Sequence, residues 1–312
     1  GYKTKIFSAS TIHNTDINLI IDGSPYLSCR YEDLDFVHIN CHNYSGNGFS
    51  RIRNMLEFPK KFKKLASEFD LPDVIVADVN CINFYPVYKF CEEKDIKFFI
   101  DVRDLWPMSI VTYLNYSEYN PIIRFLYHLE KKMYQLADGI IFSMEGGKEY
   151  IIEKGWETGS GGPVDLKKVF HINNGVDLEA FEYNREHYQI EDEDFVGDNV
   201  FKVVYAGSIR MVNKVGLLLD VAKILKDKGE KNIKFLIWGD GDEKAALESR
   251  VKEEGLTNVS FKGSVDKKHI PFITSQSQLN IALGESLPLY KYGLSANKMF
   301  DYFAAGKPVI FT

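Results

Sequence analysis

The chain has 312 residues, 45% hydrophobic and 26% charged, with a formal net charge of −6. This length allows two domains of ordinary size, each with its own core. The negative charge argues against nucleic acid as a bulk partner, because binding to the phosphate backbone requires a basic face. The sequence contains neither a run near the roughly 20 apolar residues that span a bilayer nor a signal-peptide pattern, so we expect a cytoplasmic protein.

In the first half of the chain, short apolar strands alternate with helical patterns. The predicted strands are Lys5–Ser8, Val74–Ala77, Lys97–Val102 and Gly139–Ser143. The cysteines Cys29, Cys41, Cys81 and Cys91 show no C-x-x-C spacing. We interpret them as reduced, buried thiols rather than metal ligands.

A basic amphipathic helix is predicted over Arg51–Phe69, with a kink at Pro59. This segment has six Lys or Arg residues against two Glu residues, and its apolar residues recur at helical spacing. It is either a solvated outer helix or a surface that contacts anionic lipid headgroups. In the second case Phe58 and Phe62 would insert into the membrane boundary, unless the protein core already holds them.

The second half of the chain begins with the buried strand Phe201–Ala206, followed by Gly207 and then by Arg210 and Lys214 before a helical pattern. A strand, a glycine turn, two cations and a helix start together predict an anion-binding corner. Further strands are predicted at Ile233–Trp238, Asn258–Lys262, Leu279–Leu283 and Pro308–Phe311. Strands that alternate with helices in this way predict a parallel sheet whose ligand lies beyond the carboxyl ends of its strands.

The turn after Trp238 contains Asp240 and Asp242 around Gly241, a D-x-D pattern that in another fold holds a divalent metal. We favour a glycine turn, with Gly239 and Gly241 close to a nucleotide and Asp242 as a helix N-cap. No metal is therefore expected.

The segment Asn297–Ile310, NKMFDYFAAGKPVI, predicts a helix followed by a buried strand. Lys298 and Asp301 would share one face of that helix, and Ser295 and Asn297 stand at its start. The N–H groups and the helix dipole would favour an anion there. The same pattern also fits an ordinary capped helix packed on a sheet.

These blocks, with DVRDLWP at 101–107 and HINNGVDLEAF at 171–181, resemble GT-B glycosyltransferases of family four, which use nucleotide sugars with retention. The resemblance implies two Rossmann-like, doubly wound parallel-sheet domains facing a cleft. We expect an N-terminal acceptor-side domain at residues 1–185, an acidic linker at 186–199 and a nucleotide-sugar-binding domain at 200–312. Relatives extend further at both ends, so the chain is expected to be a fragment and inactive by itself.

The resemblance implies a transferase that moves a sugar from a nucleotide diphosphate sugar, UDP-linked, to a saccharide or lipid-linked acceptor. DLWP points to bacterial surface polysaccharide synthesis, at the inner face of the plasma membrane. The nucleotide sugar is a substrate, and no cofactor is expected. The expected catalytic residues are Arg210, Lys214 and Arg103, and the expected donor-binding residues are Gly207, Gly239, Gly241, Ser295, Asn297, Lys298 and Asp301.

The sequence departs from the family pattern at several of these positions. Relatives place an arginine directly after the glycine, whereas here Ser208 holds that position and Arg210 follows two residues later. Relatives also have two spaced glutamates, and the second of them falls on Asp301. The first of these glutamates falls on Gly293. Glu285 either substitutes for the missing carboxylate or is a surface residue. Arg103 replaces the histidine of relatives; a guanidinium cannot act as a base, so it clamps a phosphate or pairs with Asp101 or Asp104.

Two other functions fit the two-domain pattern. A nucleotide-sugar 2-epimerase shares the cleft, although the blocks around DVRD and NKMFDYFAAGKPV do not resemble those of epimerases. A non-catalytic nucleotide-sugar-binding partner is the third hypothesis.

Overall fold

The computed structural model describes residues 2–12, 15, 17–44, 46, 48–196, 200–284 and 287–312. Within these ranges the chain forms two compact units. The first comprises Gly1–Ile172 with Lys291–Gly293, and the second comprises Asn173–Tyr290 with Leu294–Thr312. The first unit ends before the acidic segment 186–199, so the role of that segment as an interdomain linker stays a prediction.

The first unit contains a three-stranded and a four-stranded sheet. In the three-stranded sheet, β1 (Lys5–Ala9) pairs in parallel with β3 (Leu34–Ile39), and β3 forms an antiparallel hairpin with β2 (Tyr26–Tyr31). The four-stranded sheet is parallel, in the order β4 (Val74–Ala77), β5 (Lys97–Val102), β6 (Gly139–Phe142) and β7 (Val169–His171).

Five helices connect these strands and cover a shared core. They are α1 (Phe49–Leu65), α2 (Tyr85–Lys94), α3 (Trp106–Leu114), α4 (Pro121–Leu136) and α5 (Gly147–Glu153). The core contains residues of both sheets, because Ile39 of β3 and Ile100 of β5 are fully buried in the same hydrophobic cluster. The two sheets therefore bury their apolar faces in one continuous core.

The second unit contains a five-stranded parallel sheet in the order β10, β9, β8, β11, β12. Its strands are β8 (Phe201–Ala206), β9 (Ile233–Trp238), β10 (Val259–Gly263), β11 (Leu279–Ala282) and β12 (Val309–Phe311). Its helices are α6 (Leu178–His187), α7 (Gly216–Asp227), α8 (Lys244–Glu253), α9 (Ile270–Ser275) and α10 (Asn297–Ala304).

The faces of this sheet are buried in two hydrophobic clusters. Val203 and Tyr205 of β8 pack in the cluster that contains α7, whereas Val204 and Ala206 pack in the cluster that contains Tyr302 of α10. Alternate residues of one strand thus enter opposite layers, as in a parallel sheet with helices on both faces. The α/β class and the parallel sheets predicted from the sequence are confirmed.

The main departure from the predicted elements is the β2–β3 hairpin. Strands β4, β5, β8 and β9 have the predicted bounds, but the hairpin was not predicted. Its turn lacks an Asn-Gly or Asp-Gly pair and instead holds Glu32 at a positive φ of 51°. Strand β2 has no buried residue, so its sequence lacks the apolar run that marks a core strand.

The predicted amphipathic helix is present as α1, but Phe62 is not available to insert into a membrane. The Phe62 ring is only 6% exposed and packs edge-on against Phe7 and Phe90, with centroid distances of 5.2 and 5.6 Å. Phe58 is half-buried against the same core. The core therefore holds the Phe62 side chain, and the helix runs through Pro59 to Leu65.

The lysines of α1 differ in their surroundings. Lys61 Nζ lies 2.6 Å from Glu57 Oε1, and Lys63 Nζ lies 2.5 Å from Glu93 Oε1. Lys60 and Lys64 are exposed. Two of these four lysines thus already have carboxylate partners.

Part of the acidic segment 186–199 packs on the second unit. Lys262 Nζ lies 2.6 Å from a carboxylate oxygen of both Asp192 and Asp194, and Lys234 also pairs with Asp194. The Phe195 ring stacks on Trp238, with 6.1 Å between centroids. Residues 192–195 are therefore tied to both ends of β9 and to β10, while residues 197–199 lie outside the described ranges.

A carboxylic acid is buried on α4. Glu130 is 2% exposed, and its carboxylate accepts hydrogen bonds from the hydroxyls of Tyr134 and Tyr150, both at 2.8 Å. Burial disfavours the charged form more than these two bonds favour it, and raises the pKa of Glu130 to about 7.

We expect Glu130→Gln to remove a specific pH dependence of stability. Because the folded pKa lies above the ordinary value of 4.5, the proton of Glu130 stabilises the native state below about pH 4.5, and this contribution is lost as the pH rises to about 7. The free energy of unfolding of the parent, minus that of the variant, should fall by on the order of 3 kcal/mol over this range. Urea unfolding at several pH values measures it.

The matched control is Glu149→Gln on α5, where the side chain is exposed. This variant should give a stability curve parallel to that of the parent. A parent-minus-Glu130→Gln difference that stays constant from pH 5 to pH 7.5 would contradict the assignment.

Candidate functional site

The turns that follow β8 and β9 are bonded to each other through their backbones. The Gly207 N–H donates to the Trp238 carbonyl at 3.0 Å, and the Ile209 N–H donates to the Asp240 carbonyl at 2.8 Å. The two turns stand at the carboxyl ends of neighbouring parallel strands, where ligands of open α/β sheets bind.

The predicted glycines allow this close backbone approach. A Cβ atom at Gly239 would lie 1.9 Å from the Gly207 carbonyl oxygen, and one at Gly241 would lie 2.1 Å from the Ile209 carbonyl oxygen. Gly239 also has a φ of +134°, which L side chains rarely adopt. At these two positions the need for glycine comes from the protein's own backbone.

Lys298 of α10 reaches the turn after β8. Its Nζ donates to Asn213 Oδ1 at 3.1 Å and lies 5.1 Å from the centroid of the Tyr205 ring. Asn213 donates in turn to the Ser208 carbonyl and to the Ser208 hydroxyl, both at 2.9 Å. The Tyr205 hydroxyl also donates to the Ser208 carbonyl, at 2.7 Å. We call Tyr205, Ser208, Asn213 and Lys298 the lysine cluster.

The charge of Lys298 is only partly compensated. Among the described residues, no carboxylate lies within ion-pair distance of its Nζ, and burial lowers the pKa of its ammonium group. A half-buried cation bonded only to a neutral amide is stabilised by an incoming anion. The cluster is therefore suited chemically to a phosphate group.

Arg210 and Lys214 flank the 3-10 turn Met211–Asn213 that carries the amide of the cluster. Arg210 is exposed, with an extended backbone before the turn. Lys214 follows the turn in the left-handed conformation, at a φ of 45°, and its side chain is half-buried. The structure thus puts both predicted cations on the loop that contacts Lys298.

The start of α10 has two distinct features. The N-cap residue is Ala296, which has no side-chain acceptor for the first N–H groups of the helix. Asn297 is exposed at the first helical position. The Ser295 hydroxyl, by contrast, accepts from the Asn174 N–H at 3.0 Å and donates to Asn173 Oδ1. Ser295 therefore holds the segment at residues 173–174 against the start of α10.

Asp301 lies on α10 one turn after Asn297 and is half-buried. Burial raises the pKa of Asp301, and the positive charge of Lys267 partly opposes this effect. Lys298 and Asp301 stand at the predicted i, i+3 spacing but form no ion pair within the described ranges.

Tyr302 is a residue that the sequence reasoning missed. Its fully buried hydroxyl accepts from the Ala206 N–H at 2.9 Å and donates to the Ala206 carbonyl at 3.2 Å. This pair of bonds joins α10 to the last residue of β8. The only sequence signal was a tyrosine on the apolar side of an amphipathic helix, a position that usually belongs to the core.

The D-x-D turn does not use Asp242 as predicted. Helix α8 begins at Lys244, and its N-cap residue is Glu243, so the prediction of Asp242 as the N-cap is wrong by one position. Asp240 Oδ1 accepts from the Gly241 N–H at 2.9 Å and lies 3.9 Å from Lys244 Nζ. No group of three potential metal ligands occurs among the described residues.

Arg103 lines a separate pocket in the first unit. The pocket has a volume of about 220 Å³, and its lining includes Asp78, Asp104 and Trp106. Arg103 Nε donates to Asp101 Oδ2 at 2.9 Å and lies 3.6 Å from Asp78 Oδ2. Of the two pairings expected for Arg103, the one with Asp101 is formed, and Asp78 is an additional partner.

Glu285, the expected substitute for the missing family glutamate, lies outside the described residues. At Gly293, the position where the resemblance led us to expect that glutamate, φ is +99° and a Cβ atom would lie 3.2 Å from the Glu145 N atom. A side chain at residue 293 would therefore be strained by its own backbone and crowded by the Glu145 backbone of the same unit.

Comparison with known proteins identifies a family pattern in the last third of the chain. Residues 200–312, about a third of the chain, match the family model described as "Glycosyl transferases group 1". No curated protein matches the chain. The segment with the lysine cluster thus has the sequence pattern of group 1 glycosyltransferases.

Solved structures show the fold of the whole chain. The Anabaena protein HepE, in a complex with UDP-glucose, matches with a TM-score of 0.55 and 16% identity over 88% of this chain and 67% of that chain. Sucrose-phosphate synthase from Thermosynechococcus elongatus matches with a TM-score of 0.69 and 14% identity over 100% of this chain and 71% of that one. A glycosyltransferase from Rickettsia africae matches with a TM-score of 0.55 and 17% identity, over 88% and 65%.

These matches confirm the resemblance to glycosyltransferases of the GT-B fold. The present chain spans 65% of the length of HepE in the structure solved with UDP and glucose.

We expect Gly239→Ala to distort the paired turns. The added Cβ atom would overlap the Gly207 carbonyl oxygen, and the positive φ adds strain, so the free energy of unfolding should fall by more than about 2 kcal/mol. Chemical denaturation measures the change.

The matched control is Gly216→Ala at the first residue of α7. A Cβ atom there meets only Leu247 Cδ2, at an ordinary distance of 3.5 Å. Its stability should equal that of the parent or exceed it slightly. Parent-like stability of Gly239→Ala would show that the turns can separate without cost.

Proposed function

We propose that the protein is a glycosyltransferase that moves a sugar, with retention, from a UDP-linked donor to a saccharide or lipid-linked acceptor. The observation that carries the proposal is the half-buried Lys298, bonded to Asn213 on the glycine turn after β8. It lies in the segment that matches the group 1 family. HepE has been solved with UDP-glucose and TarM with UDP and a saccharide, which supports a nucleotide-sugar donor.

The proposed chemistry requires stabilisation of a leaving diphosphate. When the bond between sugar C1 and the phosphate oxygen breaks, negative charge grows on the diphosphate, and preorganised cations and N–H donors lower the energy of that state. We assign this role to Lys298, Arg210, Lys214 and the first N–H groups of α10. Gly207, Gly239 and Gly241 keep the backbone near the nucleotide, and Asp301 accepts hydrogen bonds from the ribose.

Retention follows if the acceptor oxygen forms its bond to C1 on the face from which the diphosphate departs. The departing phosphate oxygen then takes the acceptor proton, so a protein base is not required. This is consistent with Arg103, whose guanidinium stays protonated and pairs with Asp101. We assign to Arg103 a role in neutralising or orienting charge rather than in proton transfer.

The acceptor is inferred from sequence pattern alone. The DLWP motif at 104–107 resembles enzymes of bacterial surface polysaccharide synthesis. A lipid-linked acceptor would bring the protein to the cytoplasmic face of a membrane. No helix in the described ranges is long and apolar enough to cross one.

We expect Lys298→Ala and Lys214→Ala each to weaken UDP binding about 10- to 100-fold, because a charge-assisted contact contributes about 1.5 to 3 kcal/mol. Titration calorimetry with UDP measures the affinity. The matched control is Lys231→Ala, an exposed lysine before β9 at the opposite end of the sheet, which should bind UDP as the parent does. If both test variants also bind as the parent does, the proposed donor site is wrong.

We also expect UDP affinity to be unchanged by EDTA, because cationic side chains and helix N–H groups take the place of a metal at the diphosphate. Calorimetry with EDTA and with added Mn²⁺ is the measurement. Loss of binding in EDTA that Mn²⁺ restores would indicate a metal site and return attention to Asp240 and Asp242.

Turnover distinguishes transfer from its alternatives. Incubation with a panel of UDP-sugars and saccharide acceptors should yield UDP together with a glycosylated acceptor. Conversion of one UDP-sugar into its 2-epimer would instead indicate the epimerase. Tight UDP binding without any product would indicate a binding partner.

A further inference from the structure

An apolar surface is exposed at the start of α4 and in the loop before it. Five large side chains lie in this part of the first unit with 49% or more of their surface exposed. They are Leu114, Tyr116, Tyr119, Ile122 and Phe125, with exposures of 64, 49, 87, 69 and 58%. So many large apolar side chains in one short stretch mark an interaction surface rather than ordinary surface variation.

The solvent-facing side of α4 adds positive charge to these residues. Arg124, Phe125, His128 and Lys132 are exposed at helical spacing, while Ile123, Leu126 and Met133 of the same helix are buried on the opposite side. Phe125 therefore stands among basic side chains.

The region has few acidic residues, and both of them have partners within the protein. Residues 105–136 contain only two carboxylates, Glu118 and Glu130. Glu118 accepts from the Tyr127 hydroxyl at 3.1 Å and pairs with Lys154 at 3.0 Å. Glu130 is buried beneath the helix. Glu118 is the exposed carboxylate of this stretch, but it is ion-paired, and the exposed cations Arg124 and Lys132 outnumber it.

We propose that this surface, which we call the α4 surface (Leu114, Tyr116, Tyr119, Ile122, Arg124, Phe125 and Lys132), binds an anionic membrane. Tyrosines and apolar side chains beside cations fit the boundary between lipid headgroups and acyl chains. A second copy of the chain would meet the same positive charges, which disfavours self-association through this face.

The α4 surface differs from the lysine-rich half of α1 in the features that membrane binding needs. On α1, Lys61 and Lys63 are paired with glutamates, and Phe62 is buried in the core. The α4 surface exposes both its apolar side chains and its cations. The proposal accords with a lipid-linked acceptor, but it does not rest on donor binding.

The test is co-sedimentation of the full chain with vesicles of phosphatidylcholine alone and of phosphatidylcholine with phosphatidylglycerol. The parent should bind the anionic vesicles more strongly, and added salt should weaken that binding. The double variant Arg124→Gln/Lys132→Gln should bind at least about tenfold more weakly, since each cation near the surface contributes about a fivefold effect. Ile122→Ser/Phe125→Ser should also lose binding.

Two matched controls separate this surface from others. Lys60→Gln/Lys64→Gln removes the exposed lysines of α1, and Leu217→Ser/Val221→Ser removes two side chains of α7 that are each 46% exposed. Both controls should bind anionic vesicles as the parent does. Thermal unfolding and UDP titration of every variant confirm that it is folded, and they report on donor binding independently of vesicle binding.

Several results would overturn the proposal. These are no binding of the parent to either vesicle, equal binding to both, or loss of binding in the α1 control with retention in the α4 variants. Light scattering provides another: if the parent is a dimer and Ile122→Ser/Phe125→Ser is a monomer, the surface joins two copies of the chain.

Discussion

The close approach of the turns after β8 and β9 is the constraint on which the candidate site depends. Gly239 and Gly241 each lie where a Cβ atom would overlap a carbonyl oxygen of the neighbouring turn. The backbone bonds of Gly207 and Ile209 hold the start of the loop that carries Arg210, Asn213 and Lys214 against the turn after β9.

Helix α10 is fixed to the same corner by two side chains of opposite character. The Tyr302 hydroxyl bonds to both backbone groups of Ala206, and one turn earlier Lys298 bonds to Asn213. A buried neutral anchor places the helix, and this placement holds a half-buried ammonium group beside an amide rather than a carboxylate. Tyr302 thus anchors the helix, and Lys298, one turn earlier in the same helix, provides the cation.

The sequence predicted those elements of the fold that depend on interactions between residues close together in the chain. Buried parallel strands such as β8 and β9 are apolar apart from one lysine at the second position, and a glycine follows each, so their bounds were predicted correctly. The β2–β3 hairpin has no such run, and its turn at Glu32 lacks the usual residues. The bonds of Ser295 to Asn173 and Asn174 span more than a hundred positions, which no local pattern encodes. Apart from Arg103, which lies in the first unit, the predicted site residues lie on the two loops, on α10 and just before it, while their roles stay proposals.

Charged residues show most clearly where sequence patterns stop being informative. Helix α1 has the denser cluster of lysines, yet two of them are neutralised by Glu57 and Glu93 and its central phenylalanine is buried. Helix α4 has fewer cations, but Glu118, the carboxylate near its start, is paired with Lys154. The charge that a surface presents depends on which ions are already paired, because a paired cation gains little from a second anion. A count of lysines therefore favours α1, and the ion pairs favour α4.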